Sequence, residues 1–176
     1  MTKYAKTYAG ALYDLASEEH LEEEILKDLS LVCSTLKEMP EYRRLLMTPA
    51  ISKEERKSLI KEAWQDNIHR YSLNFLYMLC DGESVSELPD CETEFRNRYN
   101  TDKGIVEVLV TSAVPLSEEQ KKKLAAAVEK KTGKTAVFRE KVDASVIGGL
   151  KLQLAGMQYD NTIAYHLGNI AQLLSN

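Results

Sequence analysis

The chain has 176 residues, 44% of them hydrophobic and 28% charged, with a formal net charge of −4. That is the composition of an ordinary chain that folds in water, with room for one large domain or two small ones. The basic residues are scattered rather than gathered into a stripe, so the electrostatic footprint of a nucleic-acid binder is missing. The longest apolar run, Phe75 to Cys80, falls far short of the roughly 18 to 20 residues that span a bilayer. The opening MTKYAKTYAG has two lysines but no apolar core or cleavage-like site, so the chain is expected to stay in the compartment where it is made.

In chain order, apolar residues recur at helical spacing from Thr2 to about Tyr99, in blocks separated by breakers. The first block sets Tyr4, Tyr8, Leu12 and Ala16 four apart, beside Ala5, Ala9 and Ala11. One face is therefore apolar and small-sided, which lets another helix come close. A second block runs through Leu21, Ile25, Leu29, Val32, Leu36 and Met39, and Pro40 stops it because its ring clashes with the preceding turn. A short third helix covers Tyr42 to Met47 and ends before Pro49. Ser52 and Glu55 have capping-box spacing and open a fourth helix with Leu59, Ile60, Ala63 and Trp64.

The fifth helix, SLNFLYMLCD, is apolar almost all round, so it is either central to a bundle or keeps one face for a partner. Gly82 and Ser84 punctuate it, and a sixth helix follows through Leu88, Phe95 and Tyr99. The polar stretch Asn100 to Gly104 reads as the linker between two domains, 1–103 and 104–176. Beyond it IVEVLVTSA is β-branched and reads as a strand, and Ser117 with Gln120 is a second capping box. The helix it opens ends at Gly133, and a strand over Thr135 to Val142 follows. LKLQLA alternates as a half-buried strand, Gly156 allows a tight hairpin into Met157 to Tyr159, and Asp160 can cap a last helix bearing Ile163, Leu167, Ile170 and Leu174. The expected fold is α+β: an N-terminal six-helix bundle followed by a small α/β domain with a mixed sheet.

The residues offer little catalytic chemistry. Gly133-Lys134-Thr135 matches the end of a phosphate-binding loop, but Val128 stands where its first glycine is required. The order is also helix then strand, the reverse of what a phosphate cradle needs. Gly148-Gly149 lacks a dinucleotide fingerprint and reads as a bulge or sharp bend at a strand start. His20, His69 and His166 are far apart, and Cys33, Cys80 and Cys91 have no C-x-x-C spacing. Neither metal site nor disulfide framework is therefore expected. The serines lie outside any G-x-S-x-G elbow. What stands out is apolar helix surface, which either feeds the bundle core or forms a groove for an amphipathic helix.

Several stretches, in order, resemble the delta subunit of bacterial F-type ATP synthases, the family of the mitochondrial oligomycin-sensitivity-conferring protein. Tyr8-Ala9, Ala11-Leu12-Tyr13 and Ala16 are similar to its first-helix pattern. Leu46, Pro49, Ile51, Lys57, Leu59 and Ile60 are similar to its middle pattern, and Asn74-Phe75-Leu76 with Leu79 to its fifth helix. Further on, Val108, Val110, Thr111-Ser112-Ala113 and Pro115-Leu116-Ser117 resemble its strand-to-helix passage. Val142-Asp143, Ser145 and Val146-Ile147-Gly148-Gly149 resemble its D-x-S-[hydrophobic]-x-G-G signature. The chain departs from the family at Asp81-Gly82-Glu83-Ser84, at Gln153, and at Thr162, Ala164 and His166, where basic residues or a serine are common.

The resemblance implies a non-catalytic stator connector, present once per complex and binding neither cofactor nor metal. It would link the peripheral stalk to the alpha/beta catalytic head and resist rotational torque during proton-driven ATP synthesis. The bundle would receive the N-terminal helix of an alpha subunit on its first and fifth helices, with Tyr8, Ala9, Leu12, Ala16, Phe75 and Leu79 as the contact residues by position. The C-terminal domain would meet the C-terminal ends of the b subunits. Localisation would be peripheral, at the cytoplasmic face of the bacterial plasma membrane, held there only through the complex. The competing expectation is a helical adaptor that captures amphipathic helices in an unrelated assembly.

Overall fold

A computed structural model of the chain describes residues 3–146, 148–154 and 157–162. The chain divides into two compact units, Met1–Tyr99 and Asn100–Asn176.

The first unit is built from six helices: α1 (Lys3–Glu18), α2 (Glu22–Glu38), α3 (Pro40–Met47), α4 (Lys53–Trp64), α5 (Arg70–Asp81) and α6 (Leu88–Asp102), with a short 3-10 turn at Val85–Glu87 before α6. Local chemistry sets most of these limits. Pro40 both ends α2 and opens α3 at its first turn, where a missing N–H costs nothing and the fixed φ suits a helix. At Ser52 the expected capping box is complete: the side chain accepts from the Glu55 N–H at 3.2 Å, and Glu55 Oε2 accepts from the Ser52 N–H at 3.0 Å. Those bonds hold the Glu55 carboxyl below its ordinary value, chiefly through the Ser52 backbone N–H.

One core gathers all six helices, with Ile25, Leu29, Val32, Ile60, Leu88 and Phe95 almost wholly enclosed. Tyr13 of α1 meets Phe95 of α6 edge to face, with ring centroids 5.1 Å apart. The buried carboxylate of Asp28 accepts from the His69 N–H at 2.8 Å and the Ser72 hydroxyl at 2.7 Å. It ties the middle of α2 to the start of α5.

Helix α6 runs three residues further than its composition suggests, through Asn100 to Asp102, where a polar loop is expected. Extending a formed helix adds a hydrogen bond for each residue fixed. The chain breaks away only at Gly104, whose φ of +62° favours glycine.

The second unit contains β1 (Ile105–Ser112), α7 (Glu118–Thr132), β2 (Thr135–Val142), a 3-10 turn at Ala144–Val146, β3 (Gly149–Leu154) and β4 (Met157–Thr162). The sheet is mixed, in the order β2-β1-β3-β4. β1 and β2 run parallel from Ile105↔Thr135 to Ser112↔Val142, joined by the α7 crossover. β1 pairs antiparallel with β3, and β3 with β4. Alternation along β1 turns Val108, Val110 and Ser112 inward, and Leu116, Val128 and Leu154 complete the core beneath α7. Lys121 of α7 pairs with Glu140 of β2 at 2.7 Å, which locks helix to strand.

Two expectations change here. β4 continues to Thr162, beyond the expected end at Tyr159, and Asp160 lies in the ladder opposite Lys151 instead of capping a helix. The antiparallel register with β3 does not end until Gly149↔Thr162, so backbone pairing overrides the local capping preference of an Asp. The hairpin glycine Gly156, and the helix expected over Ile163, Leu167, Ile170 and Leu174, lie outside the described residues.

Candidate partner-binding surface of the helical bundle

The tempting phosphate motif resolves into ordinary chain punctuation. Gly133 is the left-handed C-cap of α7, with φ +68° and its N–H donating to Glu129 O at 2.8 Å, and β2 starts two residues later. Gly149 similarly opens β3 at φ +85°. His69 caps α5, its Nδ1 accepting from the Tyr71 N–H at 3.2 Å, while His20 sits exposed in the turn after α1. His166 lies outside the described residues. Cys33, Cys80 and Cys91 are free thiols, and burial pushes Cys33 and Cys91 up to about 12. Thiols this hard to ionise are packing groups rather than nucleophiles.

The apolar surfaces of α1 and α5 are more informative. On α1 the inward face is Ala5, Ala9, Leu12, Tyr13 and Ala16, all buried. Ala9 and Ala16 are wholly enclosed because their small side chains let neighbouring helices approach the α1 backbone. On α5 the inward face is Ser72, Phe75, Leu76, Leu79 and Cys80. Five of the six residues placed at the partner contact by position, Ala9, Leu12, Ala16, Phe75 and Leu79, therefore lie in the bundle's own core. Only Tyr8 is open, half-buried and packed against that core.

A second apolar stripe runs along α1 one residue out of phase. Tyr4, Tyr8, Ala11 and Leu15 repeat at four, three and four, the spacing of one helix face. Tyr4 is 51% exposed, Leu15 is also open, and the Tyr4 and Tyr8 rings lie 4.8 Å apart. The hydrogen bond between those phenols pushes Tyr8 above its ordinary value. On α5 Met78 is exposed, and Leu73 and Tyr77 are half-buried. α2 packs against both α1 and α5.

Of the α1 residues that the resemblance places at the contact, Ala9, Leu12 and Ala16 belong to the inward stripe and Tyr8 to the outward one. The outward stripe has the same period, so periodicity alone could not separate the two. The usable signal was excess: α1 has more apolar residues than one buried face can take.

What this arrangement supplies is surface for packing, on helices held by a core of their own. The fold is that of a helical bundle followed in the chain by a small α/β unit. Among the described residues no helix is long and apolar enough to cross a membrane.

Comparison with known proteins assigns the chain. Residues 4–174 match the family described as ATP synthase delta (OSCP) subunit. The chain is 33% identical over 171 residues to ATP synthase subunit delta of Bacillus cytotoxicus, covering 97% of this chain and 94% of that protein. It is 34% identical over 172 residues to the Exiguobacterium protein of the same name, covering 98% and 97%. Among solved structures, a chain of the Toxoplasma gondii mitochondrial ATP synthase hexamer, determined by cryo-EM, has a TM-score of 0.76 at 23% identity and covers 99% of each chain. That likeness is one of fold. The chain belongs to the ATP synthase delta (OSCP) family, whose members are non-catalytic stator subunits.

Proposed function

We propose that this subunit connects the peripheral stalk of an F-type ATP synthase to its alpha/beta head, at the cytoplasmic face of the plasma membrane. The helical unit takes the N-terminal helix of an alpha subunit, and the α/β unit takes the C-terminal ends of the b subunits. Torque from the rotating shaft then meets a chain bound at both ends, so the head cannot turn with the shaft during proton-driven ATP synthesis. The end-to-end family match favours this reading over an adaptor in an unrelated assembly.

The observation that supports the alpha-subunit contact is the open stripe Tyr4, Tyr8, Ala11 and Leu15 on α1, together with Met78 and Tyr77 on α5. An amphipathic helix laid on such a surface buries its own apolar face and covers these side chains. Tyr8 then touches the partner, while Ala9, Leu12, Ala16, Phe75 and Leu79 act from behind, setting how α1 and α5 sit in the bundle. A tether under torque has to dissociate slowly, and a dissociation constant of about 1 nM corresponds to roughly −12 kcal/mol.

The test is calorimetric titration of the purified chain with a peptide of the cognate alpha subunit's first residues, about 20 of them, long enough for five or so helical turns. Tight one-to-one binding is expected, strongly weakened by Leu15→Asp and Met78→Asp in variants that melt like the parent. An unchanged affinity in both variants would move the contact elsewhere. Absence of binding at tens of micromolar would remove the bundle as the alpha-subunit site.

A further inference from the structure

Helix α4 carries three basic residues on the turns nearest the end of α5, and they have different fates. Lys53 Nζ donates to the carbonyl of Asp81 at 2.7 Å, and Lys57 pairs with the Asp81 carboxylate at 2.7 Å. Arg56, between them, is 5% exposed, and its Nε is buried without a hydrogen-bond partner among the described residues. A guanidinium keeps its charge in any protein environment, so it cannot escape burial by losing a proton as a lysine can. A buried guanidinium N–H left without an acceptor is destabilising, and proteins rarely leave one in that state.

Arg56 lines a cleft of about 110 Å³, bounded by Met47 and Pro49 from the end of α3 and by Glu83, Val85 and Ser86 from the turn after α5. The cleft has room for several waters at roughly 30 Å³ each, or for one small oxyanion on a short stem. Glu83 lines it too, at φ +54° in the turn, and its negative charge repels any anion there, a dianion more than a monoanionic carboxylate. Met47, Pro49 and Val85 give apolar contact to an aliphatic stem, and the Ser86 hydroxyl is a donor at the rim. The planar fork of an arginine suits a carboxylate in two-point contact.

We propose that this cleft is a carboxylate-binding subsite, built to take one acidic side chain of a polypeptide partner onto Arg56. It involves neither α1 nor the outward face of α5, so it stands apart from the alpha-helix contact proposed above.

The experiment is side-chain NMR of the full chain with arginine labelled, following the Arg56 Nε–H signal at constant ionic strength in chloride. The probes are N-acetylglutamate α-amide, which carries a side-chain carboxylate, with acetate and inorganic phosphate. A saturable shift with both carboxylates in the millimolar range, and a weaker one with phosphate, is the expected result. Phosphate saturating at lower concentration than either carboxylate would overturn the choice of ligand in favour of free phosphate. A response no larger than that to added chloride would overturn the site. So would a Glu83→Gln variant that moves the Nε–H signal without any added anion, since Glu83 would then already fill the cleft. Arg56→Met supplies an independent readout, because a charge kept for binding contributes nothing to the fold. Its melting temperature is expected to equal or exceed the parent's, and a drop of several degrees would assign Arg56 a structural bond instead.

Discussion

The Ser72 hydroxyl donates to the carboxylate of Asp28 across the bundle at 2.7 Å, with both side chains buried. The same carboxylate oxygen accepts from the His69 N–H at 2.8 Å, so a residue of α2 satisfies the entry into α5. Asp28→Ala removes the acceptor and strands the buried Ser72 hydroxyl and the half-buried His69 N–H, at a cost of roughly 2–3 kcal/mol. Asp28→Asn keeps an oxygen and loses less. Urea denaturation of the single variants and of Asp28→Ala/Ser72→Ala measures the coupling, which is expected at about 1 kcal/mol. Additive losses would show that the two side chains act separately.

Burial separates residues of α1 and α5 into two kinds. Phe75→Ala empties a site only 4% exposed and should lower the stability of the bundle by about 3–5 kcal/mol. Leu15→Ala, at the open stripe, should stay within about 0.5 kcal/mol of the parent in the same denaturation experiment. If the proposed alpha-subunit contact holds, the variant's larger effect is on binding of the alpha-subunit peptide.

Acid should loosen the start of α4. The Glu55 carboxyl is held below its ordinary 4.5 by the Ser52 N–H and hydroxyl. A carboxyl depressed by folding adds stability that is fully present above its unfolded value and disappears as pH falls through the folded one. The contribution is thus intact at neutral pH and lost below the ordinary carboxylate range. Carboxyl NMR titration of Glu55 should give a midpoint under 4.5 that returns toward it in Ser52→Ala, a variant that also costs about 1 kcal/mol through the lost cap.

Gly133 closes α7 at φ +68°, and a Cβ there would meet no atom within 4 Å. The penalty for Gly133→Ala is therefore one of backbone conformation only, about 1–2 kcal/mol. Gly133→Asn should lose less, because asparagine enters the left-handed region more readily. Thermal melts followed by signals from β2 and α7 compare the two. Equal losses would point to a clash that the backbone does not show.

Local chemistry made much of this legible in advance. Both capping boxes, at Ser52 and Ser117, form as their spacing requires, because the bonds join residues three apart and need nothing from the rest of the chain. Pro40 and Gly133 mark helix ends for equally local reasons of ring geometry and left-handed φ. The α+β class follows from a change in hydrophobic period near Gly104, and the place of Gly133-Lys134-Thr135 after a helix and before a strand, with Val128 where a first glycine is needed, rules against a phosphate loop.

Tertiary structure decided the rest. Which of the two apolar stripes on α1 faces the core depends on what packs against it, and the period of a helix is the same for both. β4 runs through Asp160 because β3 offers a partner strand there, and a capping preference weaker than a ladder of backbone bonds cannot stop it. Asp28 and Ser72 lie 44 residues apart, and Arg56 meets the Glu83 turn only once α4 and α5 have packed. Helix caps are contacts between near neighbours in the chain, whereas buried charges and exposed stripes are defined by residues that folding brings together from a distance.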